Sequence, residues 1–188
     1  MKHRRKSILQ WICILSGLGL LAAACVILAP FLQNPPDVQT LRFLMPEPRP
    51  AALEERRDNT MGALSLDGTD FIGILEFPLF DATLPVGADW GDPIRCPRRL
   101  SGSIYDGTIQ IGGTSRTGQF DFFRQISVGD ELFFTDMEGN CYSLTVTDLR
   151  YAKHADQAAL QREADALTLF IKNVYAFEYL IVSCNVPN

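Results

Sequence analysis

The chain has 188 residues, of which 17 are lysine or arginine and 22 are aspartate or glutamate. This length is enough for one domain with its own hydrophobic core and an additional terminal segment. The net charge of −5 argues against a protein that binds nucleic acid through bulk electrostatic attraction. The argument against nucleic-acid binding is stronger for residues 33–188 alone. Residues 1–32 contain cations and no acidic side chain, so the remainder of the chain has a more negative net charge.

The N-terminal segment has the charge pattern of a membrane anchor. A basic run at residues 2–6 precedes residues 8–32, which contain no charged side chain. A helix over that range, at about 1.5 Å per residue, is longer than the ~30 Å hydrocarbon core of a bilayer. Because the cations lie only on the N-terminal side, residues 1–7 are predicted to be cytoplasmic. We therefore expect a single-pass protein of the cell membrane with an extracellular C-terminal domain.

Two other interpretations of this segment stay open. A cleaved secretory signal would use small residues such as Ala22 and Ala24, and a lipoprotein signal would end at Cys25. The apolar run continues past all three residues to Leu32, which favours an uncleaved anchor.

The region after the anchor is predicted to contain little regular structure. Residues 33–50 include five prolines and are expected to form an extended spacer. Residues 51–58 follow a proline and predict a short helix, and residues 59–70 predict a connector.

From residue 71 onwards the apolar residues repeat with a period of two, which predicts β-strands. The predicted strands are residues 71–77, 82–86, 108–111, 131–135, 141–147, 167–172 and 179–184. Residues 87–103 are expected to be irregular, residues 119–126 to form one or two helical turns, and residues 156–166 to form a helix. Strands this short and frequent predict a closed antiparallel barrel, mainly β with a few short helices, over residues 71–188.

Groups able to perform thiol or acid–base chemistry are few. Outside the anchor, Cys96, Cys141 and Cys184 allow at most one disulfide, and the sequence leaves the pairing open. His154 is the one imidazole in the predicted extracellular part. No cysteine pair has metal-ligand spacing, so we predict neither a metal nor another cofactor.

Several segments of the predicted barrel, taken together, carry a family resemblance. They are residues 71–78 (FIGILEFP), 84–86 (LPV), 101–105, 128–131, 134–140 and 167–170 (LTLF). In order and spacing they resemble the sortases, the cysteine transpeptidases that attach proteins to Gram-positive cell walls. The segment at residues 101–105 resembles class B-like members. The resemblance implies a sortase-like β-barrel.

The resemblance also locates three catalytic positions, and none of them keeps the family's residue. Thr114 stands where the family histidine follows its strand, and Lys172 stands where the nucleophilic cysteine follows the LTLF segment. Tyr179, seven residues later, stands in place of the family arginine. Cys184 then falls where a cysteine often ends the family's last strand, which supports this register.

Sortase chemistry needs a thiolate nucleophile, an imidazolium and a cation that stabilises the oxyanion. Thr114 does not titrate near neutral pH, Lys172 forms no thioester, and Tyr179 has no positive charge. The resemblance therefore implies a pseudoenzyme that binds a sorting-signal-like peptide or a surface protein and assists an active sortase. The candidate peptide-groove residues are Thr114, Arg116, Phe170, Lys172, Tyr175, Phe177 and Tyr179.

Two alternatives remain. A residual transpeptidase or hydrolase would use Lys172, Cys184 or His154 as a non-standard nucleophile or base. A purely structural surface module would have a closed groove, with Lys172 pointing to solvent, Cys184 in the core and His154 in a solvated loop. Turnover that depends on one of these residues would distinguish the first alternative from the second.

Overall fold

The described residues of this computed structural model are 17, 19–21, 37–53, 58–91, 95–153 and 165–187. The chain divides into two units, Met1–Asn34 and Pro35–Asn188. Within the described residues, no helix combines the length and the apolar character needed to cross a membrane. Apart from residues 17 and 19–21, the anchor predicted at residues 8–32 lies outside the described residues.

The second unit is mainly β-structure. Its helix α1 spans Val38–Leu44, and two short 3₁₀ helices span Pro78–Phe80 and Phe123–Gln125. The strands are β1 (Arg49–Ala51), β2 (Leu64–Leu66), β3 (Thr69–Phe77), β4 (Ala82–Gly87), β5 (Arg98–Ser101), β6 (Ile109–Thr114), β7 (Glu131–Asp136), β8 (Asn140–Ala152), β9 (Leu167–Asn173) and β10 (Glu178–Asn185).

Eight of these strands close into a barrel in the order β8, β10, β9, β6, β5, β4, β3 and β7, and β7 pairs back with β8. The prediction of a closed, mainly β barrel is therefore confirmed. The expectation that it is antiparallel throughout is wrong, because β6 pairs with β9 and β4 pairs with β5 in parallel. Period-two patterning reports which residues face inward, but it does not report which strands become neighbours.

The barrel interior is filled by side chains at alternate strand positions. On β8, for example, Tyr142, Leu144 and Val146 are buried, whereas Ser143 and Thr145 between them are half-buried. This alternation agrees with the period-two pattern that predicted a strand at residues 141–147. Successive side chains of a strand point to opposite faces, so the pattern is decided locally.

A smaller apolar cluster lies on the outer side of the barrel and holds α1. Asp37 caps the helix by accepting a hydrogen bond from the backbone N–H of Gln39 (3.0 Å), and Leu41 is fully buried against Phe71 and Ile74. This helix corrects the prediction of an extended spacer over residues 33–50. The prolines of that region flank residues 37–45 and do not interrupt them, so a capped helical segment fits between them.

Other local predictions differ from the structure in smaller ways. Residues 51–53 and 58 are not helical, and the remainder of the helix predicted at 51–58 lies outside the described residues. Strand β5 forms within the stretch predicted to be irregular. The stretch 119–126 contains turns and the 3₁₀ helix Phe123–Gln125. The helix predicted at 156–166 lies outside the described residues except for 165–166, which are not helical.

The turn between β7 and β8 is organised by a buried carboxylate. Asp136 is 1% exposed and accepts hydrogen bonds from the backbone N–H groups of Glu138 (2.9 Å) and Asn140 (2.8 Å). Its second oxygen accepts from Asn140 Nδ2 (2.8 Å) and from the Tyr105 hydroxyl (3.0 Å). Because Tyr105 comes from a distant loop, this carboxylate joins two parts of the barrel through charge-assisted hydrogen bonds.

Candidate functional site

Thr114, Lys172 and Tyr179 lie side by side on three neighbouring strands. The parallel pairing of β6 with β9 sets Thr114 opposite Lys172, and the antiparallel pairing of β9 with β10 sets Lys172 opposite Tyr179. Residues opposite one another in a sheet have Cα atoms only about 5 Å apart. The three positions inferred from separate sequence segments thus form one continuous row across the sheet.

This row faces the outside of the barrel. Ile111 on β6, Ile171 on β9 and Leu180 on β10 belong to the interior cluster. Since side chains alternate between the two faces, Lys172 and Tyr179, each adjacent to an interior residue, point outward. Lys172 is exposed and Tyr179 is half-buried, so both are accessible from that side.

Thr114 is more enclosed than the other two. It is 7% exposed, and its hydroxyl donates to Gln119 Oε1 at 3.1 Å, which also accepts from the Thr114 backbone N–H at 2.8 Å. Gln119 itself is 4% exposed. The hydroxyl is therefore engaged in holding the loop that follows β6, and Arg116 lies exposed in that loop.

The neighbouring row on the same face is apolar. Gly112 is opposite Phe170, and Phe170 is opposite Ile181. Phe170 and Ile181 are 4% and 1% exposed and cluster with Ala152, away from the barrel interior. A Cβ on Gly112 would overlap the Trp90 ring, so the half-exposed indole lies directly over this glycine.

A third row on this face is polar. Gln110 is opposite Thr168, and Thr168 is opposite Ser183. Thr168 and Ser183 are almost fully buried, and the Ser183 hydroxyl has no hydrogen-bond partner among the described residues. Rows two residues apart are separated by about 6.6 Å, so the three rows extend over roughly 13 Å of outer surface.

The predicted aromatic residues do not form one cluster. Tyr175 and Phe177 are 87% and 98% exposed at the tip of the β9–β10 hairpin, whereas Phe170 is buried in the apolar row. The hairpin and the loop after β6 are linked, because the backbone N–H of Val174 donates to Ser115 Oγ (3.0 Å). The tip aromatics are therefore separate from the apolar row.

Sequence reasoning missed Trp90 and Ile181. Trp90 lies in the stretch predicted to be irregular, and only the glycine pair at 112–113 gave a signal, since a glycine within a strand often marks a close approach by another group. In the sequence, Ile181 has the same pattern as the other apolar residues of the strand predicted at 179–184. Its place beside Phe170 depends on the pairing of β9 with β10.

The candidate thiol nucleophile lies on the other face of the sheet. Cys184 is fully buried in the interior cluster, and burial, with a smaller contribution from the Asp165 carboxylate, raises the pKa of its thiol. Burial also raises the pKa of Cys96, against the opposing effect of Arg98. Cys96, Cys141 and Cys184 are all free thiols. A buried thiol with a raised pKa is protonated near neutral pH and is a poor nucleophile.

His154, the remaining candidate base, lies outside the described residues. Within the part of the chain that the structure describes, no group of three or more histidine, cysteine, aspartate or glutamate side chains is arranged to hold a metal ion.

Comparison with solved structures finds sortases. Sortase A from Corynebacterium diphtheriae matches with a TM-score of 0.55 and 21% identity over 64% of this chain. Sortase C1 from Streptococcus agalactiae matches with a TM-score of 0.55 and 20% identity, covering 66% of this chain and 72% of that one. Sortase A from Listeria monocytogenes matches with a TM-score of 0.53 and 18% identity, covering 63% of this chain and 88% of that one.

These likenesses show a sortase-like fold. The chain spans 62% of the corynebacterial sortase that it matches. No protein-family model matches the chain, and no curated protein sequence matches it.

Proposed function

We propose that this chain is a catalytically inactive, membrane-anchored sortase-like protein that binds an extended peptide on the outer face of its barrel without cleaving it. The observation that carries the proposal is the row formed by Thr114, Lys172 and Tyr179. These are adjacent positions on neighbouring strands, as a shared site requires, yet they provide no thiol, imidazole or guanidinium.

The chemistry of these side chains argues against transpeptidation. The Thr114 hydroxyl already donates to Gln119, and a threonine hydroxyl does not ionise near neutral pH. Lys172 is exposed to solvent, and an amine in place of the thiol cannot form a thioester with the peptide carbonyl. The buried Cys184 points to the opposite face of the sheet, away from any peptide bound along the row.

The same face has the features of a peptide groove. The half-exposed Trp90 offers an apolar surface above the buried Phe170 and Ile181. The accessible side chains of Lys172 and Tyr179 border it on the neighbouring row. A peptide that carries an apolar residue between carbonyl or carboxylate groups would match this order of surfaces. A sorting-signal-like peptide has this order of groups.

The cellular setting follows from the sequence. The basic run at residues 2–6 and the uncharged residues 8–32 support a single-pass anchor with the barrel outside the cell. The resemblance to sortases supports a role in the attachment or assembly of proteins at a Gram-positive cell surface. The partner would then be a surface protein, presented alone or together with an active sortase.

The proposal is tested with the full chain in detergent. Fluorescein-labelled peptides with Leu-Pro-x-Thr-Gly-like and class B-like signals are titrated for fluorescence anisotropy, and parallel samples with amine acceptors are analysed for products by mass spectrometry. We expect saturable binding without cleavage. Binding should weaken about tenfold in Trp90→Ala, since an accessible aromatic contact is lost, and should not change in Arg124→Gln, which lies in the Phe123–Gln125 3₁₀ helix.

Two results would contradict the proposal. Absence of binding by every peptide, with the fold confirmed by circular dichroism, would favour a purely structural module. Products that disappear in Lys172→Ala or Cys184→Ala would instead identify a residual enzyme and its nucleophile.

A further inference from the structure

The tip of the β9–β10 hairpin presents two aromatic side chains to solvent. This hairpin tip consists of residues 174–177, Val-Tyr-Ala-Phe, and carries no charged side chain. Tyr175 is 87% exposed, and Phe177, at 98%, is the most exposed large apolar side chain among the described residues. Two aromatic rings left in water at one point of the surface indicate contact with a membrane or with another protein.

The backbone beneath the two rings is ordered. Asn173 is buried, its Oδ1 accepts from the backbone N–H of Tyr175 (3.0 Å), and its Nδ2 donates to Glu178 Oε1 (3.0 Å). The backbone N–H of Val174 donates to Ser115 Oγ (3.0 Å) in the loop after β6. The rings are therefore exposed by a turn that is held in place, which lowers the entropy lost when they bind.

Cations adjoin the hairpin tip. Lys172 is exposed on β9 directly before the hairpin, and Arg116 is exposed in the loop that is hydrogen-bonded to the tip. Lys153 is exposed directly after the last residue of β8, which pairs with Tyr179 at the start of β10. The acidic residue of the hairpin, Glu178, is half-buried and accepts a hydrogen bond. The residues next to the tip thus have a positive balance, although residues 33–188 as a whole are negatively charged.

A lipid surface fits this tip better than a protein partner does. A phenyl ring that is 98% exposed has almost no neighbour in its own chain, so the tip is convex. Two aromatic side chains offer about 300–500 Å² of surface, whereas a stable protein interface buries about 800 Å² on each partner. A bilayer needs no complementary pocket. It accepts aromatic rings at the boundary between headgroups and acyl chains, and anionic lipids attract nearby cations.

We propose that the hairpin tip inserts Tyr175 and Phe177 into the interfacial region of a bilayer that contains anionic lipids. The Phe177 ring enters the acyl boundary, and the Tyr175 hydroxyl stays among the headgroups. The three adjoining cations lie at the lipid phosphates. The inference rests on the membrane anchor of the proposed function, which brings the barrel to a bilayer, and it adds a second point of attachment.

The test is photolabelling of the full chain reconstituted in vesicles. The vesicles contain equal parts of phosphatidylcholine and phosphatidylglycerol, with a trace of phosphatidylcholine that carries a diazirine on its acyl chain. After illumination and proteolysis, mass spectrometry locates the labelled residues. We expect label at residues 174–177. Label at residues 8–32 reports the proposed anchor separately, so failure of the anchor and failure of the tip are distinguishable.

Variants identify the contribution of the rings. Tyr175→Ser combined with Phe177→Ser should reduce the label at Val174 and Ala176, which this variant keeps, by at least about tenfold, because the tip loses its apolar contact with lipid. Phe43→Ser is the matched control. It removes an 89% exposed ring from α1, outside the tip, and should leave the label at the tip unchanged.

The electrostatic contribution is tested in the same assay. Lys153→Gln should reduce the label at the tip severalfold in the anionic vesicles and should have no effect in vesicles of phosphatidylcholine alone. Absence of label at the tip would overturn the inference, whether or not the anchor is labelled, and would favour a protein partner. Equal label at the tip in the parent protein and the double serine variant, or in the parent protein and Lys153→Gln in anionic vesicles, would also overturn it.

Discussion

Replacing Tyr105 by phenylalanine should destabilise the barrel by removing a single oxygen atom. The Tyr105 hydroxyl donates to the Asp136 carboxylate at 3.0 Å, and both residues are buried. A hydrogen bond to a charged group contributes about 1.5–3 kcal/mol, and after the substitution that carboxylate keeps only its bonds from Glu138 and Asn140. We therefore expect the free energy of unfolding to fall by about 1.5–3 kcal/mol.

The assay is urea unfolding followed by circular dichroism, with the midpoint and slope fitted for each variant. Tyr175→Phe is the matched control, because it removes the same atom from a tyrosine that is 87% exposed at a hairpin tip. Its free energy of unfolding should change by no more than about 0.5 kcal/mol. If the two variants were equally stable, the reasoning that the buried carboxylate joins two parts of the barrel would be refuted.

Three further predictions concern the site and its supports. Lys172→Cys should react with iodoacetamide much faster than Cys184, since position 172 is exposed whereas burial raises the pKa of the Cys184 thiol; mass spectrometry of the labelled sites would measure both rates. Gly113→Ala should cost about 1–3 kcal/mol in urea unfolding, because the added Cβ would lie 2.6 Å from Phe120 Cε2 in the core. Hydrogen bonds from Thr40 and Gln39 lower the pKa of Asp37, so the helix cap stabilises α1 above pH 3.8 and is lost as the pH falls through the folded-state pKa. Hydrogen exchange of α1 amides should be faster in Asp37→Ala than in the parent protein at pH 6, and this difference should shrink as the pH is lowered below 3.8.

The strands were well predicted because their signal is local. The alternation of Tyr142, Leu144 and Val146 with half-buried neighbours needs only the pleat of one strand. The helix α1 was missed because the prolines of residues 33–50 dominated the interpretation, although the capping residue Asp37 was visible. Strand β5 was missed for a related reason, since it lies among glycines and prolines and forms by pairing with β6 and β4.

The candidate site was predictable only in part. The identities of Thr114, Lys172 and Tyr179 follow from motif spacing, and their chemistry follows from their side chains. Trp90 and Ile181 carry no such signal, because each contributes through a neighbour on a different strand.

By itself, the sequence determined where seven of the ten strands lie, which of their side chains face the core and which chemical groups occupy the three row positions. Each of these depends on residue identity and on the geometry of a single strand. Only the tertiary structure decided that β6 lies parallel to β9, which brings Thr114 beside Lys172, and that Cys184 points inward. Pairing between distant strands is selected by burial of the whole barrel, and no local pattern encodes that choice.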